Sequence, residues 1–271
     1  MHDTIRTDNV YEVQNNRTAS FNNFPQSDLG LSPSGSFSLK PRSITRWLVV
    51  TGSVVIIASI VVGICNGMSD YASPVFTRLN KVFSLDIKMN VPSFLKVLLF
   101  LLSSGTLAFI SWFRRKQGFS FLHWAVLSAG FFYMAFDEMA VVHQRLVEPV
   151  RSLLGGHQLG VLHFAWVVPG TLIVLILGGA FLRFWWNLPR KTRLYMFIAG
   201  FLFVGGALGM EMIDGRYAEL HGENNLTYMW MTTLEESMEI GGLIIFIKTI
   251  LEYIVDSNPK IELRLGGSKN E

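Results

Sequence analysis

An all-α, polytopic membrane helix bundle with six transmembrane helices is the fold class this sequence predicts. Three observations carry that reading. Six apolar runs approach the roughly 20 residues a membrane helix needs. Charged residues make up only 16% of the 271-residue chain, against roughly 25% in soluble domains. Lysine and arginine gather at the ends of alternate runs, which is the positive-inside pattern. Half of the chain is hydrophobic and the mean hydropathy is +0.37. The net charge of +3 therefore reads as helix flanks, not as a phosphate-binding face, and no nucleic-acid partner is expected.

Residues 1–42 are polar, rich in Asn and Ser, with Gly30, Gly35 and Pro33, and show no apolar period. A disordered cytoplasmic tail is expected there. No cleavable signal peptide is expected, because the first apolar stretch begins only near Ile44. The spans follow at about Ile44–Ile64, Pro92–Phe113, Phe121–His143, Val161–Trp185, Leu194–Asp214 and Met231–Tyr253. They define a domain over 43–256, and 257–271 form a second cytoplasmic tail. Pro169 should kink the fourth span. Gly205 and Gly209 form a G-x-x-x-G for close helix approach in the fifth. His123 and Trp124 open the third span and are expected at the membrane interface. Cys65 is the sole cysteine, so no intramolecular disulfide is possible.

Orientation comes from the loops. Lys40, Arg42 and Arg46 precede the first span, Arg114, Arg115 and Lys116 follow the second, and Arg190, Lys191 and Arg193 join the fourth to the fifth. Lys260, Arg264 and Lys269 follow the sixth. Alternation places all four segments on one side, so both termini are expected in the cytoplasm of a bacterial inner-membrane protein. The loop of about 66–90 runs against this pattern, with Arg78, Lys81 and Lys88 on the opposite side.

The acidic residues inside the spans carry the chemistry, since ionisable groups at membrane depth cost several kcal/mol each and mark function by default. At about 1.5 Å per residue, Asp137 lies roughly 24 Å along the third span, and Glu211 roughly 25 Å along the fifth. Glu138 adjoins Asp137, and Asp214 lies one turn beyond Glu211. The sixth span runs the other way and brings Glu235, Glu236 and Glu239 in its first turns. Three spans thus deliver their acids to one level, with His143, His157 and His163 nearby. Glu138 and His143 are five apart and share no helical face unless a π-bulge intervenes or the helix unwinds after Met139. His221 would join only if the fifth helix continues past Gly215.

Such crowding requires protonation, arginine partners (Arg145, Arg151 or Arg216) or bound cations. A divalent metal, Zn, Fe or Mn, suits an oxygen-rich set with imidazoles. The expected ligands are Asp137, Glu138, His143, His163, Glu211, Asp214, Glu236 and Glu239, with Glu235 as catalytic base on a metal-bound water. The Glu-x-x-His of four-helix carboxylate centres is absent, because position 141 is Val and position 239 is Glu.

The DE-x4-H of the third span, the G-x-E of Gly209–Glu211 and the EE-x-x-E of the sixth resemble an uncharacterised group of bacterial multi-pass membrane proteins. That resemblance spans roughly residues 120–250 and implies no activity. The membrane zinc hydrolases of the alkaline ceramidase and adiponectin receptor superfamily differ where it matters, since no His-x-x-x-His occurs here. The leading expectation is a metal-dependent membrane hydrolase or oxidoreductase acting on a lipid or amphiphile, with membrane lipids as partners. The alternatives are a proton- or cation-coupled transporter or channel using the same acids, and a scaffold or assembly factor.

Overall fold

The computed structural model describes residues 40–67, 74–156 and 158–257. The tails expected at 1–42 and 257–271 lie almost wholly outside the described residues, as does His157. The described residues form helices joined by loops, without strands. In order they form α1 (Pro41–Gly67), α2 (Pro74–Phe83), α3 (Val91–Lys116), α4 (Leu122–Ala140), α5 (Val142–Arg145) and α6 (Val147–Leu153). A 3₁₀ turn (Gly160–Leu162) precedes α7 (Val167–Trp186). Then come α8 (Arg190–Val204), a π-helical segment (Gly205–Met210), α9 (Glu211–His221) and α10 (Leu226–Ser257).

Among the described residues four helical stretches are long and apolar enough to cross a membrane: α1, α3, α7 and the continuous rod Arg190–His221. Helix α4 joined to α5–α6 makes a fifth if that pair, bent by 67°, is one span. Helix α10 has the length, at 32 residues, but carries Glu235, Glu236, Glu239, Lys248 and Glu252 along it. Helix α7 turns Leu172, Ile173, Leu175 and Ile176 outward, each more than half exposed. Bare aliphatic surface of that kind on a helix of membrane length is what lipid contact requires.

Helix α10 is the hub of the bundle, packing against α1, α3, α8 and the π segment. Leu99 and Phe100 of α3 meet Ile240, Leu243, Ile247 and Leu251 of α10 in the apolar core. Helices α3 and α4 close through small residues. The Ser104 hydroxyl donates to the Ser128 carbonyl at 2.9 Å, and Ser128 returns the bond at 2.8 Å. Such reciprocal bonds let two backbones approach where apolar packing has no solvent to drive it.

Several expectations need correction. Pro169 does not kink a span, because α7 starts at Val167 and the proline falls in the first turn, where its missing N–H has no helical partner to lose. Trp124 opens the third span but packs inside the protein. It is 1% exposed, set edge-on to Phe184 and stacked on Tyr253. The third span ends at Ala140, because Val141 adopts a left-handed φ of 53°, which costs a β-branched residue dearly. The helix therefore unwinds, one residue later than expected, but the break brings His143 to Asp137 and not to Glu138. The π turn occurs instead in the fifth span.

That π turn relocates the close approach expected of Gly205 and Gly209. A Cβ on Gly209 would meet nothing within 4 Å, and one on Gly205 only the flexible end of Met238 at 3.1 Å. A Cβ on Gly206 would lie 2.9 Å from the Glu235 carbonyl oxygen and 3.1 Å from the Glu239 Cγ. Gly242 makes the matching approach from α10, where a Cβ would sit 2.8 Å from the Ala199 carbonyl. Only residues without a side chain permit α8 and the π segment to lie so near the acidic turns of α10.

Candidate functional site

Three of the acids meet, and what they meet around is a lysine. Lys96 stands five residues into α3 and is 2% exposed. Its Nζ donates to Glu236 Oε1 at 2.8 Å and to Glu239 Oε2 at 3.1 Å, and lies 3.2 Å from Glu138 Oε2. An ammonium has three N–H donors, and here three carboxylates from two further helices surround it. Glu138, Glu236 and Glu239 are themselves 6%, 2% and 7% exposed.

Local structure explains how the lysine arrives there. Asn90 caps α3 by accepting from the Ser93 N–H at 3.3 Å, while its Nδ2 donates to the Ser84 carbonyl at 2.6 Å. The loop from Ser84 to Asn90 is thereby pinned, with Lys88 leaning over the same acids. Lys88 Nζ lies 3.6 Å from Glu236 Oε1 and 3.9 Å from Glu138 Oε1. Burial and the charge of Lys96 push its pKa down. The Glu236, Glu138 and Glu239 carboxylates outweigh them and hold it above the ordinary value of 10.5. This contact accounts for a basic residue on the side that the positive-inside pattern leaves acidic.

Three carboxylates and two ammonium groups leave one negative charge in excess. Two carboxylate oxygens in the cluster, Glu138 Oε1 and Glu236 Oε2, are buried without a hydrogen-bond partner. A proton on one acid would neutralise the cluster and add a donor.

Beside this centre lies a second acidic group without a cation. Asp214 is 1% exposed and, among the described residues, neither of its oxygens has a hydrogen-bond donor. The group within hydrogen-bonding range is Glu235. Two ionised carboxylates are both acceptors, so the contact is favourable only with a proton between them. Glu211 accepts from the Trp166 Nε1–H at 2.8 Å. Trp166 in turn lies against the His143 ring, centroids 4.9 Å apart. Past the break at Val141, the His143 backbone N–H donates to Asp137 Oδ1 at 2.9 Å, and its Nδ1 is bonded to Asp137 Oδ2.

The predicted site residues thus fall into three connected groups, not one ligand sphere. Glu138, Glu236 and Glu239 hold Lys96. Glu235 faces Asp214. Asp137, His143 and Glu211 join through Trp166. His163 lies outside all three, its ring edge-on to Phe164 and its carbonyl accepting from Arg151 at 2.7 Å. Among the described residues no group of three or more His, Cys, Asp or Glu side chains is arranged to hold a metal ion. The expected metal ligand set does not fit for a physical reason: an ammonium occupies the point on which the carboxylates converge, and it repels a cation there.

The arginines expected as partners are engaged elsewhere. Arg151 pairs with Glu148 and Arg216 with Glu219, and Arg145 forms no ion pair among the described residues. Helix α9 does continue past Gly215 to His221, but that ring stacks on Tyr217 at 4.5 Å. Lys96 escaped the sequence reading although its signal was present. It is a charge inside an apolar run, about 8 Å from the start of its span, and so falls at the level computed for the acids.

A family model described as a domain of unknown function, DUF8692, matches residues 45–253, a segment that contains all of these groups. No curated protein and no solved structure matches the chain.

Proposed function

The chain belongs to the DUF8692 family, and we propose that it is a six-span membrane protein that takes up and releases protons at the Lys96 centre, coupling them to the passage of a solute. In this reading α4–α6 and α10 complete the six spans. Both termini lie on the cytoplasmic side of the inner membrane, and the acids lie beneath the opposite face.

The observation that carries the proposal is the unequal count of charges around Lys96. Glu138, Glu236 and Glu239 exceed Lys96 and Lys88 by one, at burial where an uncompensated charge costs several kcal/mol. One proton balances the cluster, and its loss restores the excess. The adjoining Asp214–Glu235 contact needs a proton of its own, and Glu235 is the neighbour of Glu236 on α10, so a path between the two groups is short. Ionisable chains of this kind in membrane spans mark proton relays and ion pathways. A lysine held by three acids is also a bistable element, because protonating one of them releases one of its three bonds.

The test is reconstitution of purified protein into liposomes carrying an internal pH dye. Under an imposed pH gradient the wild type is expected to carry protons, and Glu239→Gln and Glu235→Gln to lower the rate at least tenfold. Wild-type liposomes no leakier than empty ones in every solute tried overturn the reading. So does a stoichiometric transition metal in the purified protein that Glu211→Gln and Glu239→Gln both remove, which would restore the metal-dependent enzyme.

A further inference from the structure

A second feature lies one turn before the glutamates of α10. A cavity of about 290 Å³ opens between the end of α1, α2, the Ser84–Asn90 loop and the start of α10. Its volume equals roughly ten waters at about 30 Å³ each, close to the lower bound for small-molecule sites. Thr232 lines the cavity at 7% exposure, and among the described residues its Oγ1 has no hydrogen-bond partner.

That orphan hydroxyl stands out against the habits of this chain. Thr45, Ser59, Ser103, Thr106, Thr233 and Thr249 all return their hydroxyls to the carbonyl four residues back, at 2.7–2.9 Å. Such back-bonding is the ordinary fate of a helical hydroxyl without another partner. Thr232 makes no such bond and faces the cavity instead. Asn66 adds a second orphan acceptor, its buried Oδ1, to the same lining.

The chemistry of the lining selects the ligand. Asp86 and Glu223 stand at the exposed mouth, and among the described residues neither is in an ion pair and no Lys, Arg or His lines the cavity. Partial loss of water, then the nearby Glu223 charge, raises the Asp86 carboxyl above its ordinary value. The effect is screened, since the residue keeps a solvent-exposed edge. The groups left without partners are therefore acceptors, or in Thr232 a hydroxyl free to accept. A ligand rich in N–H donors and positive charge satisfies them.

We propose that this cavity binds a small organic cation of the alkylamine class, its ammonium between Asp86 and Glu223 and its hydrogen-bonding groups toward Asn66 and Thr232. A bare divalent ion fits less well, because ten waters' worth of space exceeds one coordination shell. Thr232 and Glu236 share a face of α10, about 6 Å apart along the axis. On the proton reading above, the bound cation is the solute that the Lys96 centre moves. Binding itself does not rest on that reading and is measured without transport, so the two fail separately.

The experiment is calorimetric titration of full-length protein in nanodiscs with 1,4-diaminobutane. Butane-1,4-diol serves as the neutral match and calcium chloride as the inorganic one. Expected is one diamine site per chain, weakened at least tenfold by Glu223→Gln and by Asp86→Asn. Thr232→Val, an isosteric exchange, should weaken it by about threefold or more. The diol should not bind. Absence of diamine binding, binding indifferent to both acid variants, equal binding of the diol, or calcium binding that excludes the diamine would each overturn the proposal.

Discussion

Two acidic groups sit side by side in this bundle, and they are built on opposite principles. Around Lys96, three carboxylates share one ammonium at 2.8–3.2 Å, with Lys88 as a looser second cation. Around Asp214 no cation stands among the described residues, and the partner in hydrogen-bonding range is another acid. The first arrangement resembles a structural ion cluster, whose members hold one another in register. The second is satisfied only by something that arrives from outside, a proton in the reading favoured here. In the proposed cycle both groups exchange a proton, but the paired group also secures α3, α4 and α10 together, whereas the contact of Asp214 on α9 with Glu235 on α10 titrates without a cation to hold it.

The sharpest way to break that division is to remove the cation. Lys96→Met leaves three buried carboxylates with only the distant Lys88, and stripping one partner from a buried ion cluster costs about 3–5 kcal/mol. Thermal unfolding of the detergent-solubilised protein should show a large loss of stability. Adding Glu236→Gln and Glu239→Gln to Lys96→Met should recover much of it. A Lys96→Met variant as stable as the wild type would mean that the cluster carries no structural weight.

Next in size is Gly206→Ala. Its new methyl would fall 2.9 Å from the Glu235 carbonyl oxygen, and overpacking of this kind costs about 1–3 kcal/mol. Because Gly206 touches both Glu235 and Glu239, the variant should disturb both groups together. Its unfolding midpoint and its proton flux should fall in parallel.

Asp214→Asn should behave oppositely to Lys96→Met. Replacing an unpaired buried carboxylate by a neutral amide that can donate to Glu235 removes a penalty, so stability should hold or rise by about 1 kcal/mol. Proton transfer in liposomes should nevertheless drop. If Asp214→Asn destabilises as much as Lys96→Met, the contrast between the two groups is wrong. Smallest of all, Gly209→Ala meets open space and should change stability by under about 0.5 kcal/mol, which separates the two halves of the apparent G-x-x-x-G.

The helical fold and the common level of the acids were legible in the sequence because both follow from a fixed rise per residue and the spacing of charges along apolar runs. Lys96 obeys the same arithmetic, but a single charge in Pro92–Phe113 reads as tolerable noise until its partners on two distant segments are known. The helix break was half legible. The five-residue gap from Glu138 to His143 demanded some departure from α geometry, yet valine is among the residues least suited to φ > 0, so nothing local pointed to Val141. The π turn had no local signature either. Glycine spacing suggested helix contact, but which glycine makes it depends on an inserted residue that only the packing against α10 reveals.

That inserted residue ties the whole fifth span to its register. Each residue turns a helix by about 100°, so deleting one position from Gly205–Met210 would swing everything beyond it through more than a quarter revolution. Glu211 would leave the Trp166 indole, Asp214 would turn from Glu235 toward the lipid, and the half of the rod below Gly205 would stay seated on α10. The span is therefore two independently phased pieces welded at a wide turn, and insertions or deletions between Val204 and Glu211 should be far less tolerable than substitutions there.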